Sequence, residues 1–193
     1  MANEGQAVAL TEEDHERFIS YLSGTRHAAR DTLTYLLTIR AGMRIGSVAG
    51  LELADVLDDD GSAKQVVVLR RKITKGNKTN TAYLSHPELQ VAMRKYMDVR
   101  PKSKSPFLVL SQKGGGFTPH SLSELMGNHY KKAGIEGASS HSGRRTGITN
   151  WLKNGGDIVA VSKLAGHSSI TTTQRYVHHN QEELLKLVSL KRE

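Results

Sequence analysis

Three short stretches near the end of the chain decide its fold and chemistry. They read His141-Ser-Gly-Arg-Arg-Thr146, Leu164-Ala-Gly-His-Ser-Ser169 and Thr171-Thr-Thr-Gln-Arg-Tyr176. Their arginines, together with Arg44 far upstream, supply planar and permanently charged donors that match the oxygens of a phosphodiester. The hydroxyl of Tyr176 is a group that can attack such an ester. These residues therefore predict chemistry on a phosphodiester.

The charge of the chain agrees with a nucleic-acid partner. Its 193 residues include 27 Lys and Arg against 19 Asp and Glu, which gives a formal net charge of +8. An excess of this size attracts polyanions, although an ordinary basic protein would carry it too. The basic residues cluster in three places, which are 70–78, 100–104 and 131–153.

The composition excludes several other classes of protein. The chain has no cysteine, which rules out disulfide scaffolds, zinc sites built from thiolates and cysteine nucleophiles. No apolar run approaches the roughly 18 residues of a membrane span, and the start lacks the basic and apolar regions of a signal peptide. Gly114-Gly115-Gly116 is not followed by the Lys and Ser or Thr of a phosphate-binding loop, so it predicts a flexible loop. We therefore expect a cytoplasmic protein without membrane contact.

Hydrophobic spacing predicts a mainly helical chain. Helices are expected over about 12–22, 26–41, 86–99, 118–133, 141–153, 157–165, 170–178 and 182–192, with a short helix opened by Arg44. The β-branched run Gln65–Leu69 and the stretch Thr79–Leu84 predict the two strands of a hairpin that turns at Gly76-Asn77. The sequence thus predicts one domain with a mainly α fold and a small antiparallel β-sheet.

Each candidate residue has a plainer explanation when it is taken alone. His141 and Arg144 are three positions apart, so a helix would place both on one face, but that spacing is a weak signal. A tyrosine such as Tyr176 is usually a core residue, and a histidine after a glycine, such as His167, is usually part of a turn. The order in which these residues follow one another along the chain decides between the two interpretations.

Four motifs, taken in order, resemble the catalytic domain of the tyrosine recombinase (phage integrase) family over nearly the whole chain. Ala41–Ile45 resembles the family's first arginine box, and Ile73–Lys78 resembles its hairpin lysine motif. His141-Ser-Gly-Arg144 matches the His-x-x-Arg box, while Leu164–Ser169 followed by Tyr176 matches the terminal box. A single motif carries little weight, whereas four in the right order are highly specific.

The resemblance implies that the hydroxyl of Tyr176 attacks one DNA strand, forming a 3′-phosphotyrosine and a free 5′-hydroxyl. The covalent bond conserves the energy of the broken ester, so rejoining to another strand needs no ATP, metal ion or other cofactor. Lys75 would be the general acid that protonates the departing 5′-oxygen. The implied function is that of a site-specific recombinase that acts on double-stranded DNA and assembles as a tetramer on paired DNA sites.

The remaining motif residues take supporting parts in this implied mechanism. Arg44 and Arg144 would clamp the nonbridging oxygens of the phosphate, where charge accumulates in the transition state. His167 would donate a further hydrogen bond, and His141 would assist the transfer of the tyrosine's proton. Candidate contacts to DNA are Arg71, Lys72, Lys78 and Arg145.

The chain departs from the family's usual pattern at three positions. Ser47 stands where an acidic residue usually supports the first arginine, so Arg44 must be supported differently. Gly143 replaces an apolar residue and leaves a gap that a neighbouring side chain must fill. Arg145 takes a place where histidine is common, and either contact with the DNA backbone or simple solvation would account for it. The pair His178-His179 suggests zinc, but adjacent histidines point apart on a helix, so a solvated pair is expected.

The domain organisation also departs from the family's pattern. About 40 residues precede Arg44, which leaves no room for the core-binding domain that the family usually carries there. We therefore expect one catalytic domain over residues 1–193, either excised from a longer protein or native to the short forms such as the fimbrial phase-switch recombinases. The C-terminal helix at about 181–193 would dock on a neighbouring protomer or fold back on its own domain. A type IB topoisomerase and a noncatalytic DNA-binding regulator are the alternative functions.

Overall fold

The structure, a computed structural model, describes residues 7–177 and residue 189. Nine α-helices and a two-stranded hairpin build this described part of the chain. The helices are α1 (Glu12–Ser23), α2 (Ala28–Ile39), α3 (Ile45–Ala49), α4 (Leu53–Val56), α5 (Pro87–Val99), α6 (Pro119–Lys132), α7 (Ser142–Lys153), α8 (Ile158–Ala165) and α9 (Ile170–Gln174). The strands are β1 (Val66–Leu69) and β2 (Asn80–Tyr83), and a short 3-10 helix at Arg71–Ile73 follows β1.

The predicted mainly α fold with a small antiparallel sheet is confirmed, and most predicted elements begin and end close to their observed bounds. Helix α9 is shorter than expected because the chain after Gln174 tightens into turns whose amides bond three residues back, as Val177 does to Gln174. The pair His178-His179 and the expected helix over 182–192 lie outside the described residues. Within the described ranges, no helix is long and apolar enough to cross a membrane.

The β-hairpin turns one face toward the helices. In β1, Val67 and Leu69 are buried, whereas Val66 and Val68 are 52% and 62% exposed. The strands are antiparallel, with Val66 opposite Tyr83. This alternation is the period of two that a sheet with one covered face requires.

An aromatic cluster occupies the centre of the main core. Phe18 stacks on Tyr130 with ring centroids 4.0 Å apart, and it meets Tyr35 edge-on at 4.9 Å. Helix α2 carries Tyr35 and packs against α1, α3, α5 and α7. Because α2 touches so many neighbours, it fixes the positions of the two helices, α3 and α7, from which the site is built.

A second and smaller apolar cluster holds the last helices. Ile148 of α7 packs with Val161 and Ala165 of α8, and the ring of Tyr176 joins them from the segment after α9. Helix α8 also contacts β2. The hairpin, Arg44 before α3 and the segment from Ala160 of α8 to Thr172 of α9 surround one cleft.

Candidate active site

Arg144 holds the site together from inside. It lies on α7, is 7% exposed, and donates hydrogen bonds to the carbonyl oxygens of Gly42 and Ala165, the second at 2.6 Å. A third contact joins its terminal nitrogen to Nε2 of His167 at 3.1 Å. Burial, and then the charge of Arg44, lower the pKa of Arg144 to about 9, so the side chain stays charged at neutral pH. Arg144 thereby links the loop before α3 to the end of α8.

Arg44 has different surroundings from Arg144. It precedes α3, where Gly42 turns the chain with a φ of 61° that an L side chain would resist. A Cβ atom at Gly42 would also overlap the indole of Trp151. The Arg44 side chain is half-buried, and it has no side-chain hydrogen bond or ion pair with any described residue. Partial burial lowers its pKa. Arg44 thus lines the cleft with a guanidinium that no described side chain pairs.

His167 is placed by the end of α8. Gly166 takes the left-handed conformation, with φ of 60°, and the amide of His167 donates back to the carbonyl of Ser162 at 3.0 Å, which is the usual glycine ending of a helix. The Nδ1 atom of His167 lies 2.8 Å from Oγ1 of Thr173. Burial, and then the charge of Arg144, lower the pKa of His167 to about 4, so the imidazole is neutral at neutral pH.

The ring of Tyr176 lies between charged and aromatic neighbours. Its centroid is 5.8 Å from that of His167, and the two rings are inclined by only 22°. The guanidinium of Arg145 lies over the Tyr176 ring at 5.7 Å from its centroid. Tyr176 also lies close enough to Arg44 and Arg144 to affect their pKa values. The contact with Tyr176 was not foreseen for Arg145, for which the sequence left open a DNA contact or solvation.

His141 stands at the start of α7, one turn before Arg144, and it is exposed. Partial loss of hydration lowers the pKa of His141, and the positive charges of Arg144, Arg44 and Lys75 lower it further. These influences place His141 and Lys75 in the same electrostatic environment as the two arginines. The structure therefore brings all six predicted catalytic residues into one region.

Lys75 is exposed at the tip of the β-hairpin. The predicted turn is confirmed, since Gly76 and Asn77 have φ of 78° and 57°, and the hydroxyl of Thr74 bonds the carbonyl of Lys78 across the loop. Glycine takes a positive φ without steric cost, and asparagine tolerates it at single positions. The amide of Asn77 also donates to the carbonyl oxygen of Thr74 at 3.3 Å, so Lys75 lies in a closed turn.

The base of the hairpin is fastened to α3 and α4. The hydroxyl of Ser47 donates to the carbonyl oxygen of Ile73 at 2.7 Å. Arg70 pairs with Glu52 at 2.6 Å and with Asp55 at 2.7 Å. The Ser47 side chain thus bonds the hairpin, not Arg44. Sequence reasoning missed these contacts, because no local pattern signals a bond between residues 15 to 26 positions apart.

The cleft between the hairpin and α8 has a volume of about 980 Å³. Its basic and amide side chains are those of Arg44, Lys75, Lys78, Asn80, Lys163 and His167. No Asp or Glu lies among the described residues that line it. Asn80 and Lys163 were not singled out from the sequence, although each flanks a motif. A concave surface lined by cations and free of carboxylates favours a polyanionic ligand.

Other predicted positions have individual placements. Arg71 is exposed with its Nε atom 3.5 Å from Oγ1 of Thr79, and Lys72 is exposed with an ion pair to Glu52 at 3.4 Å. The gap expected at Gly143 is filled by helix α2, because a Cβ atom there would overlap the hydroxyl of Thr38. The contacts of Arg71 and Lys72 are long and exposed, so both side chains remain free to turn toward a ligand.

Known proteins resemble this chain over most of its length. Residues 9–183 match the model of the phage integrase family. A tyrosine recombinase XerC from Caldanaerobacter subterraneus subsp. tengcongensis is 30% identical over 188 residues, covering 94% of this chain and 50% of the relative. A tyrosine recombinase XerA from Thermococcus kodakarensis is 31% identical over 180 residues, covering 92% of this chain and 60% of the relative.

Solved structures agree with the sequence relatives. A crystal structure of XerA recombinase has a TM-score of 0.77 at 25% identity, covering 98% of this chain and 65% of that chain. XerH recombinase bound to a difH substrate has a TM-score of 0.72 at 22% identity, covering 94% of this chain and 53% of that chain, and it supports the fold alone. The chain spans about half the length of the curated relatives that it matches. Since the family model extends over residues 9–183 of the 193, the chain belongs to the phage integrase family.

Proposed function

We propose that this chain cleaves and rejoins DNA strands as the catalytic part of a site-specific recombinase. The observation that carries the proposal is a pair of neighbouring arginines, of which one is bonded to the protein and the other has no described side-chain partner. Arg144 is fixed by bonds to the protein, while Arg44 has no side-chain partner among the described residues and faces the cleft. Two adjacent guanidinium groups repel each other until an anion lies between them. A DNA phosphate is the ligand that this arrangement favours.

The proposed step begins when the phenol oxygen of Tyr176 attacks the phosphorus atom. His141 accepts the phenol proton, a new bond joins the tyrosine oxygen to phosphorus, and the bond from phosphorus to the 5′-oxygen breaks. Lys75 gives a proton to that departing oxygen, which becomes a free 5′-hydroxyl. Arg44 and Arg144 neutralise the charge that grows on the nonbridging oxygens. Rejoining reverses each transfer with a second 5′-hydroxyl.

The partners follow from the same proposal. We infer that the chain acts on double-stranded DNA in the cytoplasm and self-associates as a tetramer on paired DNA sites. The exposed lysines Lys72 and Lys78 and the exposed Arg71 surround the hairpin tip that carries Lys75. Side chains of this kind contribute binding energy through phosphate contacts that carry no sequence information. The relatives XerC and XerA are named as tyrosine recombinases, which favours strand exchange over the relaxation of supercoils by a type IB topoisomerase.

A covalent capture experiment tests this function and identifies the DNA site at the same time. The protein is incubated with a library of nicked duplexes of random sequence, and DNA that stays bound in detergent is recovered and sequenced. We expect recovery of a limited set of related sequences. A plasmid carrying two recovered sites should then be recombined, while a supercoiled plasmid without them should not be relaxed. Relaxation of any supercoiled plasmid would support the topoisomerase alternative, and no covalent DNA at all would support the noncatalytic regulator.

A further inference from the structure

We propose that the hydroxyl of Thr173 hydrogen-bonds Nδ1 of His167 whichever ring nitrogen carries the proton, and so acts as a positioning residue that lets His167 donate to a phosphate in the proposed strand cleavage. This inference rests on the proposed function. Thr173 lies on α9, is fully buried, and places Oγ1 at 2.8 Å from Nδ1 of His167. It lies three residues before Tyr176, on the short segment that joins the histidine to the nucleophile.

The other nitrogen of His167 fixes its state in the absence of DNA. Nε2 lies 3.1 Å from a terminal nitrogen of Arg144. A guanidinium can only donate, so Nε2 must accept and cannot carry a proton in this arrangement. The proton of the neutral ring is therefore on Nδ1, and Nδ1 donates it to the oxygen of Thr173. In this state His167 has no hydrogen to offer to a phosphate.

Binding of a phosphate moves the preferred position of the His167 proton from Nδ1 to Nε2. When the phosphate oxygens accept the hydrogen bond of Arg144, Nε2 of His167 loses its donor. For His167 to donate a hydrogen bond to the phosphate, its proton must then be on Nε2. Nδ1 then has a lone pair and needs a donor. The Thr173 hydroxyl meets both needs, because a hydroxyl can rotate from acceptor to donor. A donor at Nδ1 also makes the hydrogen on Nε2 more acidic and thus a better donor. The proton moves between the nitrogens through water in the cleft, and the ring stays neutral.

A second histidine in the same chain offers an internal control. His15 has its Nδ1 atom 2.7 Å from the hydroxyl of Tyr35 and its Nε2 atom 3.2 Å from a terminal nitrogen of Arg40. These distances resemble those around His167, and by the same argument they place the proton of His15 on Nδ1. Arg40 also forms an ion pair with Glu88 at 2.7 Å, so its charge is already compensated. We therefore expect phosphate to change the proton position on His167 and to leave His15 unchanged.

Nitrogen-15 NMR of protein labelled at histidine measures these proton positions directly. The signals are assigned with His167→Gln and His15→Gln variants, and inorganic phosphate is added until the signals of the Arg44 and Arg144 guanidinium groups stop moving. Without phosphate, both histidines should carry the proton on Nδ1. With phosphate, His167 alone should carry it on Nε2. A proton already on Nε2 of His167 without phosphate, or one that stays on Nδ1 at saturation, would overturn the proposal.

Substitutions at Thr173 separate its hydroxyl from its bulk. Thr173→Val keeps the volume. Without phosphate it should leave the proton on Nδ1, because Arg144 still donates to Nε2. At phosphate saturation it should give a mixture of the two proton positions, because Nδ1 then lacks a donor, whereas Thr173→Ser should retain the parent spectrum in both states. On a captured DNA site, Thr173→Val should form the covalent adduct about tenfold more slowly, as expected for the loss of one hydrogen bond that strengthens in the transition state. Thr173→Ser should remain close to the parent rate. Thr171→Val, at an exposed position of the same helix, serves as the matched control.

The outcomes distinguish a failure of this inference from a failure of the proposed function. If the parent protein forms no adduct with any DNA, the proposed function fails while the NMR result still decides the proton positions. If the parent forms an adduct and Thr173→Val matches it in both rate and spectrum, Thr173 does not position His167. An equal loss in Thr173→Val and Thr173→Ser would also overturn the inference, because serine keeps the hydroxyl.

Discussion

At the residue scale, the two arginines of the site differ in their hydrogen bonds to the rest of the protein. Arg144 donates hydrogen bonds to the carbonyl oxygens of Gly42 and Ala165 and contacts His167, so it stabilises the fold as well as supplying charge. Arg44 has no side-chain partner among the described residues, so its charge and its hydrogen-bond donors are available to a ligand. The sequence predicted that both arginines bind the phosphate, but it predicted the same part for each of them. Their difference arises from burial by α7 and α8, which no local pattern reveals.

Alanine substitutions at the two arginines should separate the contribution to folding stability from the contribution to the reaction rate. Arg44→Ala should leave the free energy of unfolding close to the parent value and slow adduct formation about a hundredfold or more, the usual effect of losing one preorganised donor. Arg144→Ala should slow the reaction similarly and also destabilise the fold by about 2–4 kcal/mol, because it leaves buried carbonyls without donors. Urea titration and adduct kinetics measure the two effects. Equal stability losses in both variants would contradict the distinction.

At the element scale, the hairpin combines a fixed base with an exposed tip. Ser47 and Arg70 bind the base to α3 and α4, while Lys75 projects from the turn. The sequence predicted both strands and the Gly76-Asn77 turn, because those signals are local. It could not predict the anchoring, since the partners are far apart along the chain and none of them has a distinctive spacing. The first indication was only that Ser47 departs from the family's acidic residue.

Lys75 should be identified by the leaving group that it serves. An alkoxide leaves poorly without a proton, whereas a thiolate, whose acid has a pKa of roughly 8.5, leaves readily. Lys75→Ala should therefore cleave ordinary DNA very slowly and recover substantially when sulfur replaces the bridging 5′-oxygen. Lys72→Ala, at an exposed neighbour with an ion pair to Glu52, should show no selective recovery. Recovery at Lys72 instead, or equal impairment of Lys75→Ala on both substrates, would refute Lys75 as the general acid.

Ser47 should act through the same hairpin. Ser47→Ala removes the bond to Ile73 and should slow cleavage of ordinary DNA about fivefold, which corresponds to the loss of one ordinary hydrogen bond. Because the bond holds the base of the loop that carries Lys75, the sulfur substrate should largely remove the defect. Parallel rate measurements on the oxygen and sulfur substrates test this. A defect of the same size on both would mean that Ser47 acts through Arg44.

At the scale of the whole molecule, the proposed nucleophile belongs to a smaller apolar cluster than the main core. Tyr176 rests on the small cluster of Ile148, Val161 and Ala165, apart from the aromatic core. The lowered pKa values of His141 and His167 have the same origin, since loss of hydration and nearby arginines both oppose protonation. The sequence predicted the fold class and the converging motifs. It did not predict this separate cluster, which depends on how α7 and α8 meet.

These histidines should make the fold sensitive to mild acid. The pKa of His167 is about 4 in the folded chain, below the value near 6.5 of an unfolded histidine. Between these two pKa values the unfolded chain binds more protons than the folded chain. The free energy of unfolding therefore decreases as the pH falls from the unfolded value toward the folded one. The melting temperature should drop between about pH 7 and about pH 5, and less so in His167→Gln. His120→Gln, at an exposed site, should keep the parent's dependence. A melting temperature that is equal at both pH values would contradict this account.

The most direct test of the central claim is the identity of the residue that becomes linked to DNA. Adducts formed with a captured nicked duplex are digested with protease and nuclease, and the modified peptide is located by mass spectrometry. The nucleotide should be attached to Tyr176, and Tyr176→Phe should form no adduct while it retains the parent's affinity for duplex DNA. Tyr83→Phe, which changes a tyrosine that lines the cleft, should behave as the parent does. An adduct that persists in Tyr176→Phe, or that maps to Tyr83 or any other residue, would contradict the account.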